Sequence, residues 1–367
     1  MKTATLLIIL LLIPVVIRGP IAPPSSVLAA VDPDDVIDPD FTLTDVNTLL
    51  SPTSPADLDQ LRQAVIDLVW SGRGYPSGTP TVEEGVTITN FVAQGNLARI
   101  DRLTSDMGQG MLSVGHLFRP RSASGLLVIY HGGHLELLDE TTDVQTQAWI
   151  ARLLSDGHAV IALSMPSHGV NNARPLVDVP RIGILRIGDH DHLKYLPAPL
   201  RFYLEPVALA LNHALDTGDY HRVAMFGYSG GGWTTTMMAA IDPRIQLSYP
   251  VAGSLPIHMR SRKDWGDWEQ TDPALYRTAT YPELYVLGAS GPGRRQVQIN
   301  NKHDPCCFSG IKDMLYVPQV RARVTQIGPG SYDFYRDEQM LAHGISDPVF
   351  DAIARDIATG VWAVNQP

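Results

Sequence analysis

Ser229 lies in Phe226-Gly227-Tyr228-Ser229-Gly230-Gly231-Gly232, between the short apolar run Val223-Ala224-Met225 and a stretch from Trp233 to Ala240 that can form a helix. A serine on a very tight strand-to-helix turn presents its hydroxyl clear of its neighbours, where it can act as a nucleophile. Such a turn closes only if the residues two before and two after lack bulk, and Gly227 and Gly231 meet that demand. A serine hydroxyl is a poor nucleophile until a base removes its proton during attack. The chemistry therefore needs an imidazole in reach and an acid to orient it. With 12 histidines in the chain, composition cannot choose the base; position must.

The elements that supply those positions follow from hydrophobic spacing. Residues 31–55 are rich in Asp, Pro and Thr and read as a loose arm. A helix opens at Pro55, with Leu58, Leu61, Val65 and Leu68 on one stripe. Alternating segments around Val86-Thr87-Ile88-Thr89 and Met111-Leu112-Ser113-Val114 read as antiparallel edge strands with one wet face. The pattern then changes to continuous apolar strands, Leu126 to Tyr130, Ala159 to Leu163, Val223 to Phe226 and Leu247 to Val251. Helical stretches separate them, Thr141 to Leu154 and Leu200 to Leu215 among them. Strands at Gln296–Ile299 and Tyr332–Tyr335 and a helix from Asp347-Pro348 complete the order. This alternation implies an α/β protein with a mainly parallel sheet covered by helices on both faces.

From about residue 80 to the C-terminus the chain resembles the α/β-hydrolase family. In that family the nucleophile follows the fifth strand, the acid a later strand, and the base the last strand, in the chain order Ser, Asp, His. The resemblance implies Ser229 as nucleophile, Asp304, after the Gln296–Ile299 strand, as acid, and His343, after the Tyr332–Tyr335 strand, as base. His343 would take the serine proton and return it to the leaving group. Asp304 would fix the imidazole tautomer and stabilise the imidazolium. Asp333 and Asp337 are weaker rivals, one inside the last strand and the other close before the base. The resemblance also implies an oxyanion hole from the backbone N–H of Gly230 and one in His131-Gly132-Gly133-His134, which is similar to the HGGG-type motif. The fourth position is His134 rather than glycine, so Gly133 and His134 are both candidates.

Lys2, an apolar run from Ala4 to Ile17 and the small-residue exit Val27-Leu28-Ala29-Ala30 read as a signal peptide over residues 1–30. The run is short of the roughly 20 apolar residues of a membrane span. An uncleaved N-terminal anchor is the minority reading. The division expected is residues 1–30 as signal, 31–80 as arm and helix, and 81–367 as the catalytic domain, with loop insertions over the site. A net charge of −10 with no basic run argues against nucleic acid as a partner. No phosphate-binding glycine loop is present, so no nucleotide cofactor is expected.

Three other features were weighed. Asp189-His190-Asp191-His192 offers metal-ligand types, but adjacent alternating side chains in a loop seldom converge on one ion. A solvated or rim-lining loop is expected, with no metal and no cofactor. Trp265 and Trp268 carry little weight, while Trp233 and Tyr228 flank the serine and are the candidates for substrate contact. Cys306 and Cys307, the chain's 2 cysteines, are neighbours directly after Asp304-Pro305. In an exported protein a vicinal disulfide is expected there, stiffening the acid's loop, with a pair of buried free thiols as the alternative. The sequence thus points to an exported serine hydrolase acting on a small or polymeric carboxylic ester. A serine peptidase similar to prolyl oligopeptidases and a non-catalytic binding domain are the alternatives.

Overall fold

The computed structural model describes residues 32–134 and 142–364. The expected signal peptide lies outside the described residues, as does Thr141 at the head of the expected second helix. Among the described residues, no helix is long and apolar enough to cross a membrane.

The sheet begins with a hairpin of β2 (Leu97–Gly108) and β3 (Met111–Pro120), with short β1 (Thr81–Glu83) antiparallel on its outer edge. Val86–Thr89, expected as a strand, instead leads into a 3-10 turn at Thr89–Phe91. The strand lies further on, where Arg99, Asp101, Arg102 and Asp106 obscure the alternation. Asp101 is fully buried because Arg99 and Arg119 pair with it at 2.7 and 2.8 Å. A sequence pattern that scores charge as exposed cannot find such a strand.

The remaining strands are β4 (Leu126–His131), β5 (Ala159–Leu163), β6 (Leu176–Val179), β7 (Gly183–Arg186), β8 (Arg222–Tyr228), β9 (Leu247–Val251), β10 (Arg295–Asn301) and β11 (Ser331–Asp337). The main sheet runs β1-β2-β3-β5-β4-β8-β9-β10-β11, parallel from β5 onward, while β6 and β7 form a separate hairpin. Every residue of β4 and β5 is buried, as expected for strands covered on both faces.

The helices are α1 (Pro55–Val69), α2 (Val144–Ser155), α3 (Arg201–Thr217), α4 (Gly230–Ile241), α5 (Trp268–Thr271), α6 (Pro273–Thr278), α7 (Tyr281–Ala289), α8 (Val317–Ile327) and α9 (Asp347–Thr359). The pleat divides the core between them. Leu127 and Ile129 of β4 face the layer containing α1, α3, α4, α7 and α8. Val128 and Tyr130 of the same strand face α2 and α9.

Residues 33–53 are not a loose arm. They form 3-10 turns with Val46 and Leu50 buried, tied down where Thr280, the N-cap of α7, donates to the Leu49 carbonyl at 2.7 Å. Arg323 of α8 donates to the Leu50 and Pro52 carbonyls. Two apolar anchors inside an Asp-, Pro- and Thr-rich stretch were too sparse to show as a pattern. From Pro33 to the C-terminus the chain packs as one unit.

β5 lies on one side of β4 and β8 on the other. Strand order reverses there, which opens a crevice at the carboxyl ends of β4 and β8. Both motifs singled out above end at this crevice.

Candidate active site

Ser229 has φ 57° and ψ −127°, a conformation that L residues adopt only when the surroundings impose it. Here they do. A Cβ on Gly227 would stand 2.5 Å from the His131 carbonyl oxygen, and one on Gly231 would overlap that same oxygen. A Cβ on Gly230 would overlap Met165 Sδ. The glycines therefore let the turn press against the end of β4. Ser229 N–H donates to the Val251 carbonyl at 3.0 Å, and Thr234, Thr235 and Thr236 return hydrogen bonds to the Gly230, Gly231 and Gly232 carbonyls.

Asp304 follows β10 and is buried. Its Oδ1 accepts from the N–H groups of Cys306 at 2.8 Å and Cys307 at 3.1 Å, and its Oδ2 accepts from His343 Nδ1 at 2.8 Å. Cys306 and Cys307 are joined as a disulfide, so two adjacent N–H groups of one closed ring hold the carboxylate. His343 sits in the loop after β11, which Asn301 fastens by donating to the Ala342 and Gly344 carbonyls at 3.2 and 2.9 Å. With a carboxylate at Nδ1, that nitrogen carries the proton and Nε2 presents its lone pair. Among the described residues Nε2 is buried without a hydrogen-bond partner, and the ring lines the same cleft as Ser229.

The rival acids do other work. Asp333 is half-exposed and pairs with Arg321 at 3.0 Å. Asp337 accepts from the N–H groups of Gln339 and Met340 and from the Ser346 hydroxyl, bracing the histidine loop from beneath.

The cleft encloses about 650 Å³. Gly133 lies against the serine, since a Cβ there would be 3.1 Å from Ser229 Cβ. Gly132 N–H is committed to the Leu163 carbonyl at 2.8 Å, which leaves Gly133 and His134 as the next backbone donors of that loop. Gly230 opens α4, and the first N–H of a helix has no intrahelical acceptor and sits at its positive end.

Of the two substrate-contact candidates, Tyr228 lines the cleft, its ring 5.9 Å from that of His343. Trp233 does not. α4 is buried all round and turns the indole down into the core, edge-on to Tyr203 at 5.4 Å. Trp265, given little weight in the sequence, lines the cleft and is 51% exposed.

The expectation of a solvated or rim-lining loop at Asp189–His192 needs correction for His190, which is 5% exposed. His190 meets His134 and His168 at one wall of the cleft, and His168 is a residue that the sequence gave no reason to single out. Burial pushes His168 down. Burial also opposes protonation of His190, but the nearby Glu269 carboxylate outweighs burial and raises it. Burial pushes Asp267 up, yet the hydrogen bond and charge of His134 hold it below the usual carboxylate range.

His131, at the end of β4, is pushed by burial from 6.5 down to about 4, against a smaller opposing contribution from the Gly132 carbonyl. The unfolded chain takes up this proton near pH 6.5 and the folded chain only near 4. The stabilisation is therefore complete above pH 6.5 and lost as pH falls toward 4. The difference corresponds to about 3 kcal/mol. Urea unfolding of the wild type and His131→Asn at about pH 7 and about pH 4 should show the wild type losing that much more stability on acidification. Equal losses would contradict the assignment.

No family model matches the sequence, and no curated protein matches it. Solved structures do match in fold. An acetyl xylan esterase from Paenibacillus sp. R4 is similar at 16% identity and TM-score 0.53, over 86% of this chain and 98% of that one. Acetyl xylan esterase 1 from Thermoanaerobacterium sp. JW/SL YS485 is similar at 14% and 0.54, over 84% and 95%. A methylesterase reaches 16% and 0.57, over 84% of this chain and 65% of its own. At these identities the likeness is one of fold.

Proposed function

We propose, from the α/β-hydrolase fold that the chain adopts, that it is a serine hydrolase of carboxylic esters. The observation that carries this reading is the Asp304–His343 pair at 2.8 Å, with His343 Nε2 left to the cleft where the strained turn presents Ser229. Ser229 attacks the ester carbonyl while His343 Nε2 takes its proton. The C–O bond breaks and the alcohol leaves with that proton. Water, deprotonated in turn by His343, releases the carboxylic acid and restores Ser229. Negative charge on the carbonyl oxygen meets the N–H of Gly230 and that of Gly133 or His134, a stabilisation worth about 3–4 kcal/mol per donor in such sites. The neighbours named as acetyl xylan esterases and a methylesterase have the same fold and are consistent with ester substrates.

The walls come from two loop insertions, residues 170–196 and about 254–282. Asp189 and His190 belong to the first, and Lys263, Trp265 and Asp267 to the second. Export is part of the proposal, supported by the disulfide, which persists in oxidising compartments, and by the N-terminal pattern of Lys2 and an apolar run.

Assaying p-nitrophenyl esters of increasing acyl length beside a panel of peptide amides tests the reaction class. Ester turnover with little or no amide turnover is expected. Turnover of amides alone would replace this reading by a peptidase, and turnover of neither by a binding domain.

A further inference from the structure

Three imidazoles from three separate segments converge on one wall of the cleft: His134 after β4, His168 after β5, and His190 at the start of a 3-10 turn, His190–Tyr195. Each can offer a ring nitrogen such that all lie within 4.8 Å of one another. His134 Nε2 is 3.0 Å from His190 Nε2 and 3.2 Å from Asp267 Oδ2. Ligands bound tetrahedrally at about 2.0–2.1 Å stand about 3.3 Å apart, so the His134–His190 separation is close to an edge of a zinc coordination tetrahedron.

The far sides of two rings fix which nitrogen faces inward. His168 Nδ1 is 3.0 Å from the Pro166 carbonyl, so it carries the proton and leaves Nε2 as a lone pair. His190 Nδ1 is 3.1 Å from Tyr203 Oη and 3.6 Å from Glu269 Oε2. The Tyr203 hydroxyl itself donates to Glu269 at 3.2 Å, so its oxygen accepts from His190 Nδ1–H. Imidazoles backed by a carbonyl, or by a carboxylate through a hydroxyl, are the usual outer shell of histidine metal ligands.

His190 Nε2 and Asp267 Oδ2 both converge on His134 Nε2, so the carboxylate brings negative charge to the edge of the three-histidine cluster. Charge agrees. Glu269 is fully buried with Oε1 unpartnered among the described residues, and Asp189 Oδ1 lies 3.8 Å from His190 Nε2.

We propose that His134, His168 and His190 bind a divalent first-row transition metal ion, for which nitrogen-rich sites of this kind are selective over magnesium or calcium. The sequence expected no metal, since the adjacent side chains of Asp189–His192 seldom converge on one ion; the proposed ligands come instead from three separate segments. The ion would tie the loop after β4 to the loop after β5 and to the segment that carries His190. It would also hold His134, whose Cε1 would stand 3.4 Å from a Cβ on Gly230, against the backbone donors beside Ser229. The site stands on its own geometry, whether or not Ser229 is the nucleophile.

The test is titration of chelator-stripped full-length protein with zinc by calorimetry in non-reducing buffer, and with cobalt by visible absorption. One ion per chain is expected, with the intense visible bands of tetrahedral cobalt. His168→Ala should weaken zinc binding by more than about 100-fold, and Glu269→Gln by about 10- to 100-fold through His190. His221→Ala, an exposed histidine at the opposite end of β8, should leave binding unchanged. Glu269→Gln keeps every side-chain ligand, so it reports even if His168→Ala does not fold. Absence of binding by the wild type overturns the proposal. So does binding that survives Glu269→Gln unchanged, since the ion would then lie elsewhere.

Discussion

Ser229→Ala is expected to lower kcat for ester hydrolysis by about 10⁴- to 10⁶-fold while leaving the fold intact. The loss is large because in the proposed mechanism the acyl intermediate forms on this serine, and the residual rate would reflect the oxyanion donors and binding alone. Stability should hold, because the hydroxyl faces the cleft while the turn is fixed by the close approaches of Gly227 and Gly231 to the end of β4. Ser229→Gly should be equally inactive yet more stable by about 1 kcal/mol, since glycine adopts φ 57° without strain. Steady-state kinetics with thermal melts of both variants checks this. Near-wild-type turnover by Ser229→Ala would remove the serine from the chemistry.

Asp304→Asn is expected to cost about 10⁴-fold in kcat with little change in KM. An amide at this position can turn its NH₂ toward His343 Nδ1 and so stabilise the wrong tautomer, with the proton on Nε2. The imidazole then cannot accept from serine. Asp333→Asn should be silent, because that carboxylate only meets Arg321 near the surface. Asp337→Asn should lower activity and melting temperature together, since it frees the loop that carries His343. Full activity in Asp304→Asn with loss in Asp333→Asn would show that the acid lies elsewhere.

The parts legible in the sequence are those where one residue type is sterically compulsory or one pattern is uninterrupted. The elbow glycines are compulsory because backbone atoms occupy the space a Cβ would take. β4, β5, β8 and β9 are uninterrupted because helices cover both faces. Asp304 and His343, chosen by their places after β10 and β11, do meet in the structure.

What escaped notice depends on contacts between distant segments. β2 was hidden because Asp101 is buried on the strength of Arg119, a partner on the next strand. The packing of residues 33–53 rests on Thr280 and Arg323, far along the chain. Trp233 was misplaced because adjacency to Ser229 in sequence says nothing about which way a fully buried helix turns its side chains. The convergence of His134, His168 and His190 needs three loops to be folded before it exists.

The most direct test of the central claim is to react the protein with a fluorophosphonate and map the modified peptide by mass spectrometry. The account predicts one adduct per chain, on Ser229, formed slowly or not at all in His343→Ala. An adduct on another residue, or undiminished labelling of Ser229→Ala, would contradict it.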